Sequence, residues 1–427
     1  MRVSSVFKIT ILGCLSVFMG LLLIFSNVSK GTIAVYQMVI AVIGLLLAII
    51  AVMLPYMDGL SKINKKKLIA GYKKIHIFMF PYSIILLYEI VHTYNLYGYN
   101  KITLLYAITP YLYAFFSYPL MYIFVIDHGY KSLLKKVGIL GVIMTLIRVI
   151  GWYLYNYRGS YIFSGLVLQS EDWLRNGLQR IDVIPLFGIV TVYYAYRLLR
   201  EYNLYNFTVT LFLFLYLVFI AQARYLVVIV VILFVILLYL KPNSNKYEVL
   251  FRGMMTILLI FGILFGGVNY IIMLFSTNGA YGASTSIRFE AMEHFYNLIV
   301  QNKQFFGGLG LLTFWNSKAS LLMMKNIWQN YYLSDIGIVG GLVVFGMLGI
   351  IIYGCMYYIG IKASIMSSTN KDKWDKVIIY GLFIYMVLSC MSLNIFDMNR
   401  SMDVPFYLAI FCYSLQNFDY FEEKSAI

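Results

Sequence analysis

Apolar residues run along this chain in long unbroken blocks, without the strict alternation of half-buried strands or the single stripe of soluble helices. A bilayer crossing takes ~20 mostly apolar residues. On that measure the chain reads as twelve blocks, at approximately residues 7–26, 33–54, 76–96, 103–126, 137–157, 183–199, 204–221, 225–240, 253–275, 331–358, 377–393 and 404–417. The first block follows a short basic start, Arg2 and Lys8, and lacks a small-residue cleavage site, which predicts a retained helix rather than a signal peptide. No separate soluble domain shows between the blocks. The expected fold is therefore all-α, a single integral membrane domain over residues 1–427 built as a polytopic transmembrane helical bundle of about twelve spans.

Composition narrows the class further. Hydrophobic residues make up 62% of the chain, the mean hydropathy is +0.81, and only 12% of residues are charged. Soluble domains carry about 25% charge, and a soluble fold could not hide this much apolar surface. The four cysteines, Cys14, Cys355, Cys390 and Cys412, lie inside apolar blocks at irregular spacing, the pattern of small core residues and not of a disulfide framework or zinc site. The net charge of +15 would suit nucleic acid, but the lysines sit mostly in short connecting segments, where charge sets membrane orientation. With the amino terminus inside, the inner segments hold twenty-one Lys and Arg and the outer ones eleven, with Arg148 inside a block. The bias predicts a bacterial-type plasma membrane protein with both termini cytoplasmic and no nucleic-acid partner. It also leaves an outer set in which arginines outnumber lysines, and those need another explanation.

Two outer segments are long: residues 158–182, and residues 276–330 between the ninth and tenth blocks. Structureless loops beyond about 15 residues are uncommon unless functional or disordered, and 276–330 is neither polar nor low in complexity. Within it, Ile287, Ala291, Phe295 and Leu298 recur at helical spacing over Ser286 to Val300, which predicts an amphipathic helix near the outer interface. Gly307, Gly308 and Gly310 should then break the chain before a second short segment, 311–327. Arg288 falls in the first turn of the predicted helix, where the macrodipole disfavours a cation and favours an anion such as phosphate; pairing with Glu290 or Glu293 is the plainer reading. Arg224 lies in Ala221-Gln222-Ala223-Arg224-Tyr225, a whole turn between two blocks at the outer face. A functional cation there competes with simple snorkelling.

These pieces resemble, in order, the O-antigen polymerase and O-antigen ligase superfamily, the Wzy-type polymerases that extend glycans carried on a polyprenyl diphosphate. The resemblance covers about residues 221 to 350. It consists of Ala223-Arg224-Tyr225-Leu226-Val227 at the outer start of a helix, an arginine-bearing helix from Ile287-Arg288-Phe289-Glu290 to the glycine turn Phe306-Gly307-Gly308-Leu309-Gly310, and a helix entry Gln329-Asn330-Tyr331-Tyr332-Leu333 leading to Gly340. It implies a GT-C-like bundle with one large extracytoplasmic loop, 276–330, and a capsule, exopolysaccharide or O-antigen polymerase acting on undecaprenyl-diphosphate-linked oligosaccharides. Flippase and chain-length regulator proteins are the implied partners, besides membrane lipids. Gln329 stands where the ligases have a histidine proposed to activate the acceptor hydroxyl, and neutral glutamine cannot act as a general base. That departure favours polymerase over ligase.

Joining lipid-linked units breaks an anomeric carbon–phosphate bond, and the leaving diphosphate gains negative charge that cations must meet. A planar guanidinium, permanently charged, grips phosphate in bidentate fashion. The resemblance assigns this to Arg224 and Arg288, with Lys325 a weaker third; Gln329 and Asn330 complete the substrate-binding set, Asn330 alternatively capping the tenth helix. For the acceptor's proton the candidates are Asp335, six residues past Gln329 and so inside the tenth helix, then Glu290 and His294, four apart on one helix face, where an ordinary surface pair explains them equally well. Glu89 and Arg148 should face the bundle interior and could pair, whereas Asp397, Asn399, Arg400 and Asp403 read as a local salt-bridged loop or, alternatively, as part of the lining of the same substrate cavity. No metal constellation shows, since the four histidines are scattered, and no Gly-x-x-x-x-Gly-Lys loop is present; metal-independent transfer without cofactor is expected. A lipid-linked oligosaccharide flippase and a general secondary transporter are the competing classes, but the six-helix repeat expected of the first and the Gly- or Pro-broken helices in matching halves expected of the second are not evident.

Overall fold

In a computed structural model, residues 3–425 are described apart from 26–28, 58–59, 161, 168–173, 176, 243–251, 255, 258–281, 314, 316, 326–329 and 369–371. Most of the expected ninth span, 253–275, therefore lies outside the described residues.

The first half consists of α1 (Val3–Phe18), α2 (Leu21–Phe25), α3 (Lys30–Met53), α4 (Lys62–Tyr97), α5 (Lys101–Leu112), α6 (Ser117–Ile126), α7 (Lys131–Arg158) and α8 (Phe187–Glu201). Then come α9 (Leu204–Leu215), α10 (Arg224–Leu240), α11 (Gly282–Gln301), α12 (Lys318–Met323), α13 (Gly337–Phe345), α14 (Leu348–Ser367), α15 (Lys373–Cys390) and α16 (Asp403–Ser425). Local chemistry sets several boundaries. Ser29, Ser61, Asn100 and Asn203 each accept a backbone N–H of the first turn of α3, α4, α5 and α9, at 2.8 to 3.3 Å. Gly98 and Gly159 end α4 and α7 in the left-handed conformation. Among the described residues the strand pairing is confined to a short hairpin, Leu174–Arg175 with Leu178–Gln179, and two isolated bridges, Val167 with Ile181 and Lys325 with Asn330.

This is a helical membrane protein. Among the described residues, five helical stretches are long and apolar enough to cross a bilayer: Gly31–Tyr56, Lys62–Tyr97, Lys101–Ile126, Lys131–Arg158 and Leu348–Ser367. Val3–Phe18, Leu204–Ile220 and Arg224–Leu240 are shorter apolar helices. Their outward faces are as greasy as their inward ones: Val35, Val39, Val42, Leu46, Ile49 and Met53 form one exposed stripe along α3 at helical spacing. A continuous stripe of that kind suits hydrocarbon rather than water. At the centre, α16 is buried along 403–416 because α4, α6 and α14 surround it, so it is apolar all round.

The expected tenth span, 331–358, is not one helix. Residues 333–335 form a 3-10 turn, α13 follows, and Gly346 at φ 56° breaks the chain before α14. A π-turn at Tyr216–Ala221 also interrupts the seventh span, and both interruptions fall in the second half of the chain. The block at 76–96 extends back to Lys62, where Ser61 provides the cap.

Contacts between helix ends fall into two groups, and each joins segments that the alternation of spans puts on the same side. At one end Lys8 pairs with Asp127, Lys131 meets Asp372 and Asp375 at 2.7 Å each, and Lys241 reaches the Tyr202 hydroxyl. Partly exposed pairs like these contribute only ~0.2–1 kcal/mol each, so they mark the face more than they hold it. At the other end, Tyr97 donates to the Leu309 carbonyl at 2.6 Å and Tyr106 stacks near Trp315, ring centres 5.0 Å apart.

Candidate functional site

The glycine turn of the 276–330 segment is built into the helix break. Breaking the chain at Gly346 releases the carbonyls of Val343 and Val344, which accept the Leu309 and Gly310 amides at 2.7 and 3.1 Å; Met347 in turn donates to Phe305 at 2.9 Å. The approach is so close that a Cβ on Gly308, at φ 67°, would stand 2.5 Å from both Gly346 N and Val343 O. From α4 and the turn that follows it, Thr93 Oγ1 accepts the Leu311 amide at 2.8 Å, Tyr99 donates to the Leu311 carbonyl at 3.2 Å, and His92 Nε2 donates to Gly308 O at 3.2 Å. Irregular backbone of this kind is tolerated near a membrane only where its polar groups are satisfied within the protein.

This anchor positions α11. The predicted amphipathic helix is present and longer than expected, starting at Gly282. Ala291 and Phe295 are buried in a small second core with Leu309, Met324, Tyr331, Ile336 and Val343, while Ile287, expected to face inward, is exposed. Arg288 is consequently the seventh residue of α11, in its second turn, and the first-turn dipole argument for an anion there does not hold. Arg224 is the first residue of α10, after a left-handed Gln222 at φ 49°. Both arginines are half-buried. Tyr225 beside Arg224 donates to the Leu388 carbonyl at 2.5 Å, and the Arg288 guanidinium lies near enough to the Tyr225 phenol to interact with it electrostatically. Two segments some sixty residues apart in sequence are thus brought together at the start of α10.

The carboxylates gather next to this point, around the end of α15. Gly337 packs against the carbonyls of Cys390 and Met391, where a Cβ would come within 2.4 and 2.6 Å. That contact sets the 333–335 turn beside Leu388, the Tyr225 partner. Asp335 is in the turn and not in the tenth helix as expected; its Oδ1 accepts from Ser334 Oγ at 3.3 Å. Arg400 donates to the Ser334 carbonyl at 3.4 Å. The Asp397 carboxyl is pushed above the usual carboxylate range, chiefly by burial; Arg400 and the Asn399 amide pull it down, and the neighbouring charges of Asp335 and Asp182 push it up again. Asp182, just ahead of Pro185, was not singled out by the sequence; a lone carboxylate beside a proline at a loop-to-helix junction was the available signal. Among the described residues no ion pair within 4.0 Å closes the 397–403 loop, which is held by backbone hydrogen bonds such as Arg400 N to Asp397 O at 2.9 Å, so the salt-bridged reading is corrected.

The remaining candidates are placed less centrally. Glu290 is exposed, whereas His294 is half-buried with Nε2 donating to Met323 O at 2.9 Å and its ring 4.9 Å from that of Tyr331. A carbonyl can only accept, so Nε2 carries the proton and only Nδ1 is left for other chemistry. Lys325 and Asn330 are exposed and bridge each other across an antiparallel pairing; Asn330 caps no helix. Gln329 lies outside the described residues. Glu89 and Arg148 do not pair: among the described residues neither Glu89 oxygen has a hydrogen-bond partner, and Arg148 donates to the backbone carbonyls of Met19 and Asp182 at 2.9 and 3.3 Å. Among the described residues no group of three His, Cys, Asp or Glu could hold a metal ion.

The cavities lie on the Asp182 side of the cluster. One of about 200 Å³ opens beside Arg148, and a second of about 30 Å³ is lined by Leu226, Arg400 and Asp403. They share Asp182, Val183, Pro185 and Asn399, so they lie back to back. Comparison with known proteins finds no family model that matches the chain and no curated protein that resembles it at a significant level.

Proposed function

We propose that this protein is a polymerase of polyprenyl-diphosphate-linked oligosaccharide repeat units, transferring glycan at the outer face of a bacterial plasma membrane. In this reading the bundle is GT-C-like with about twelve spans and cytoplasmic termini, and the 276–330 segment forms the outer roof. The observation that carries the reading is the meeting of Arg288 on α11 with Tyr225, next to Arg224 at the start of α10. A half-buried guanidinium brought from a separate segment to Tyr225, with a second one residue away in sequence, suits a diphosphate better than a sugar hydroxyl. The arrangement then works by direct displacement: the acceptor hydroxyl attacks the anomeric carbon of the growing chain, the bond to phosphate breaks, and the polyprenyl diphosphate leaves with the electron pair. Asp335 takes the hydroxyl proton. Arg224 and Arg288 neutralise the developing charge.

The test is chain growth in liposomes holding the purified protein and a lipid-linked repeat unit. Losing one preorganised cation of this kind costs ~3 kcal/mol of transition-state stabilisation, about a hundredfold in rate. Arg224→Ala and Arg288→Ala should each lower elongation by about that factor with membrane insertion unchanged. Undiminished polymer from either variant removes that residue from the site.

One observation favours a second reading, a lipid-linked oligosaccharide flippase: the helix break at Gly346, since discontinuous helices mark transporter sites. In transporters the carbonyls so exposed coordinate the cargo or its ion. Here those of Val343 and Val344 already accept from Leu309 and Gly310, which favours an anchoring role and the enzyme reading. Movement of a lipid-linked unit across the bilayer without lengthening would reverse that preference. A ligase-like transferase is the third reading, disfavoured by Gln329 in the histidine position.

A further inference from the structure

The second chemically distinctive place in the fold is the 200 Å³ cavity at Arg148. Arg148 sits on α7 with 7% of its surface exposed. An arginine cannot shed its charge in a protein and offers five N–H donors. Two of them go to the carbonyls of Met19 and Asp182, and Nε has no partner among the described residues. Among the described residues no carboxylate lies within ion-pair distance: the Glu89 oxygens have no partner there, and the exposed Asp182 carboxylate accepts the Val183 amide at 3.1 Å. A buried cation without a counter-charge is strongly unfavourable unless something anionic joins it.

The surroundings say what kind of anion. Val17, Leu23, Ile33 and Ile40 give the cavity apolar walls, and Gln37 and Asn399 give it a polar rim. Ile33 and Ile40 line the inner wall from the face of α3 opposite its exposed stripe, while Tyr36, which also lines the cavity, is exposed on α3 beside that stripe, so the mouth opens toward the lipid-facing side. At ~30 Å³ per water the volume holds several waters, enough for a phosphate head. The smaller cavity leads from the shared residues Asp182 and Asn399 to Leu226, two residues beyond Arg224.

We propose that the Arg148 cavity is a second anion site, binding the phosphate head of a lipid whose tail lies along α3. Resting on the polymerase reading, that lipid is the polyprenyl diphosphate of the acceptor, which is held but not cleaved, while Arg224 and Arg288 take the donor. A polymerase joins two lipid-linked substrates at once, and the paired cavities would place their heads at neighbouring sites.

The experiment measures binding of polyprenyl diphosphate to purified protein in nanodiscs by native mass spectrometry. An Arg224→Ala/Arg288→Ala double variant removes the donor site. One lipid should still bind to it, and adding Arg148→Ala should weaken that binding at least tenfold. Because Arg148→Ala could disturb folding, Ile33→Trp provides a second route: it fills the cavity from α3, leaves Arg148 in place, and should weaken binding to the same extent. Retained affinity in both variants overturns the site. Inorganic diphosphate binding as tightly as the lipid overturns the lipid assignment, and phosphatidylglycerol displacing the polyprenyl lipid at equal concentration overturns the acceptor assignment. Lipid binding that depends on Arg148 in a protein that never lengthens a glycan sinks the polymerase reading and leaves the site standing. Undiminished binding in the Arg148 variants of an active polymerase sinks the site alone.

Discussion

Substituting Gly308 with alanine tests whether the glycine turn is what holds the broken helix together. The new Cβ would face three backbone atoms at once, Gly346 N and Val343 O at 2.5 Å and Val344 O at 2.6 Å, none of which can swing aside as a side chain could. The φ of 67° adds the left-handed cost of an L-residue, ~1–2 kcal/mol. Relieving the clash means parting the turn from α13, which breaks the bonds from Leu309 to Val343 and from Gly310 to Val344, now 2.7 and 3.1 Å long. Each is worth ~0.5–1.5 kcal/mol net, and more if its groups stay buried without partners. The sum is a loss of about 4 kcal/mol. Gly98 is the control: it has a similar φ of 59°, but a Cβ there meets nothing within 4 Å, so Gly98→Ala should show only the backbone cost, ~1 kcal/mol. Equilibrium unfolding of both variants in mixed micelles, followed by near-ultraviolet circular dichroism, separates the two contributions. If Gly308→Ala and Gly98→Ala fall within about 1 kcal/mol of each other, the close approach does not carry the stability argued here.

Thr93→Val should destabilise the protein by ~1–3 kcal/mol, because the buried Leu311 amide loses its acceptor, whereas Thr93→Ser should stay near wild type; equal unfolding midpoints for Val and wild type would refute this. The Asp397 carboxyl, raised mainly by burial, should make folding more favourable in acid: its contribution is complete below the ordinary carboxylate range near ~4 and is lost as pH rises through the raised value. Asp397→Asn should flatten that part of the stability profile between acid and neutral pH, and Arg400→Gln should shift it to higher pH, since Arg400 is what pulls the carboxyl down; an unchanged slope in Asp397→Asn counts against the assignment.

Much of the fold was legible because membrane helices must satisfy their backbones locally and must be apolar over a length set by the bilayer. The runs at 33–54, 103–126 and 137–157 correspond to helical stretches Gly31–Tyr56, Lys101–Ile126 and Lys131–Arg158 for that reason. The helix of the 276–330 segment was legible from the spacing of Ala291, Phe295 and Leu298, although its start was not, since Ser284, Thr285 and Ser286 are residue types that favour a helix start and the helix begins before them. The run at 331–358 misled, because glycine is common in membrane helices and hydropathy cannot tell a tolerated glycine from one at φ 56°. Pairing Glu89 with Arg148 failed for a related reason: both are polar residues in apolar runs, but sequence places neither the rotation of α4 nor that of α7.

By itself, then, the sequence determined that the chain is a helical membrane protein, where most helices lie, and which connecting segments carry arginine and lysine. These follow from local rules of length, hydropathy and charge, each of which acts within one segment. Only the tertiary structure decided that Arg288 comes to the start of α10, that Asp182, Asp335 and Asp397 share one electrostatic neighbourhood, and that Arg148 is left with carbonyls in place of a carboxylate. Those outcomes depend on how helices rotate and cross, which packing fixes collectively and no single stretch of residues encodes.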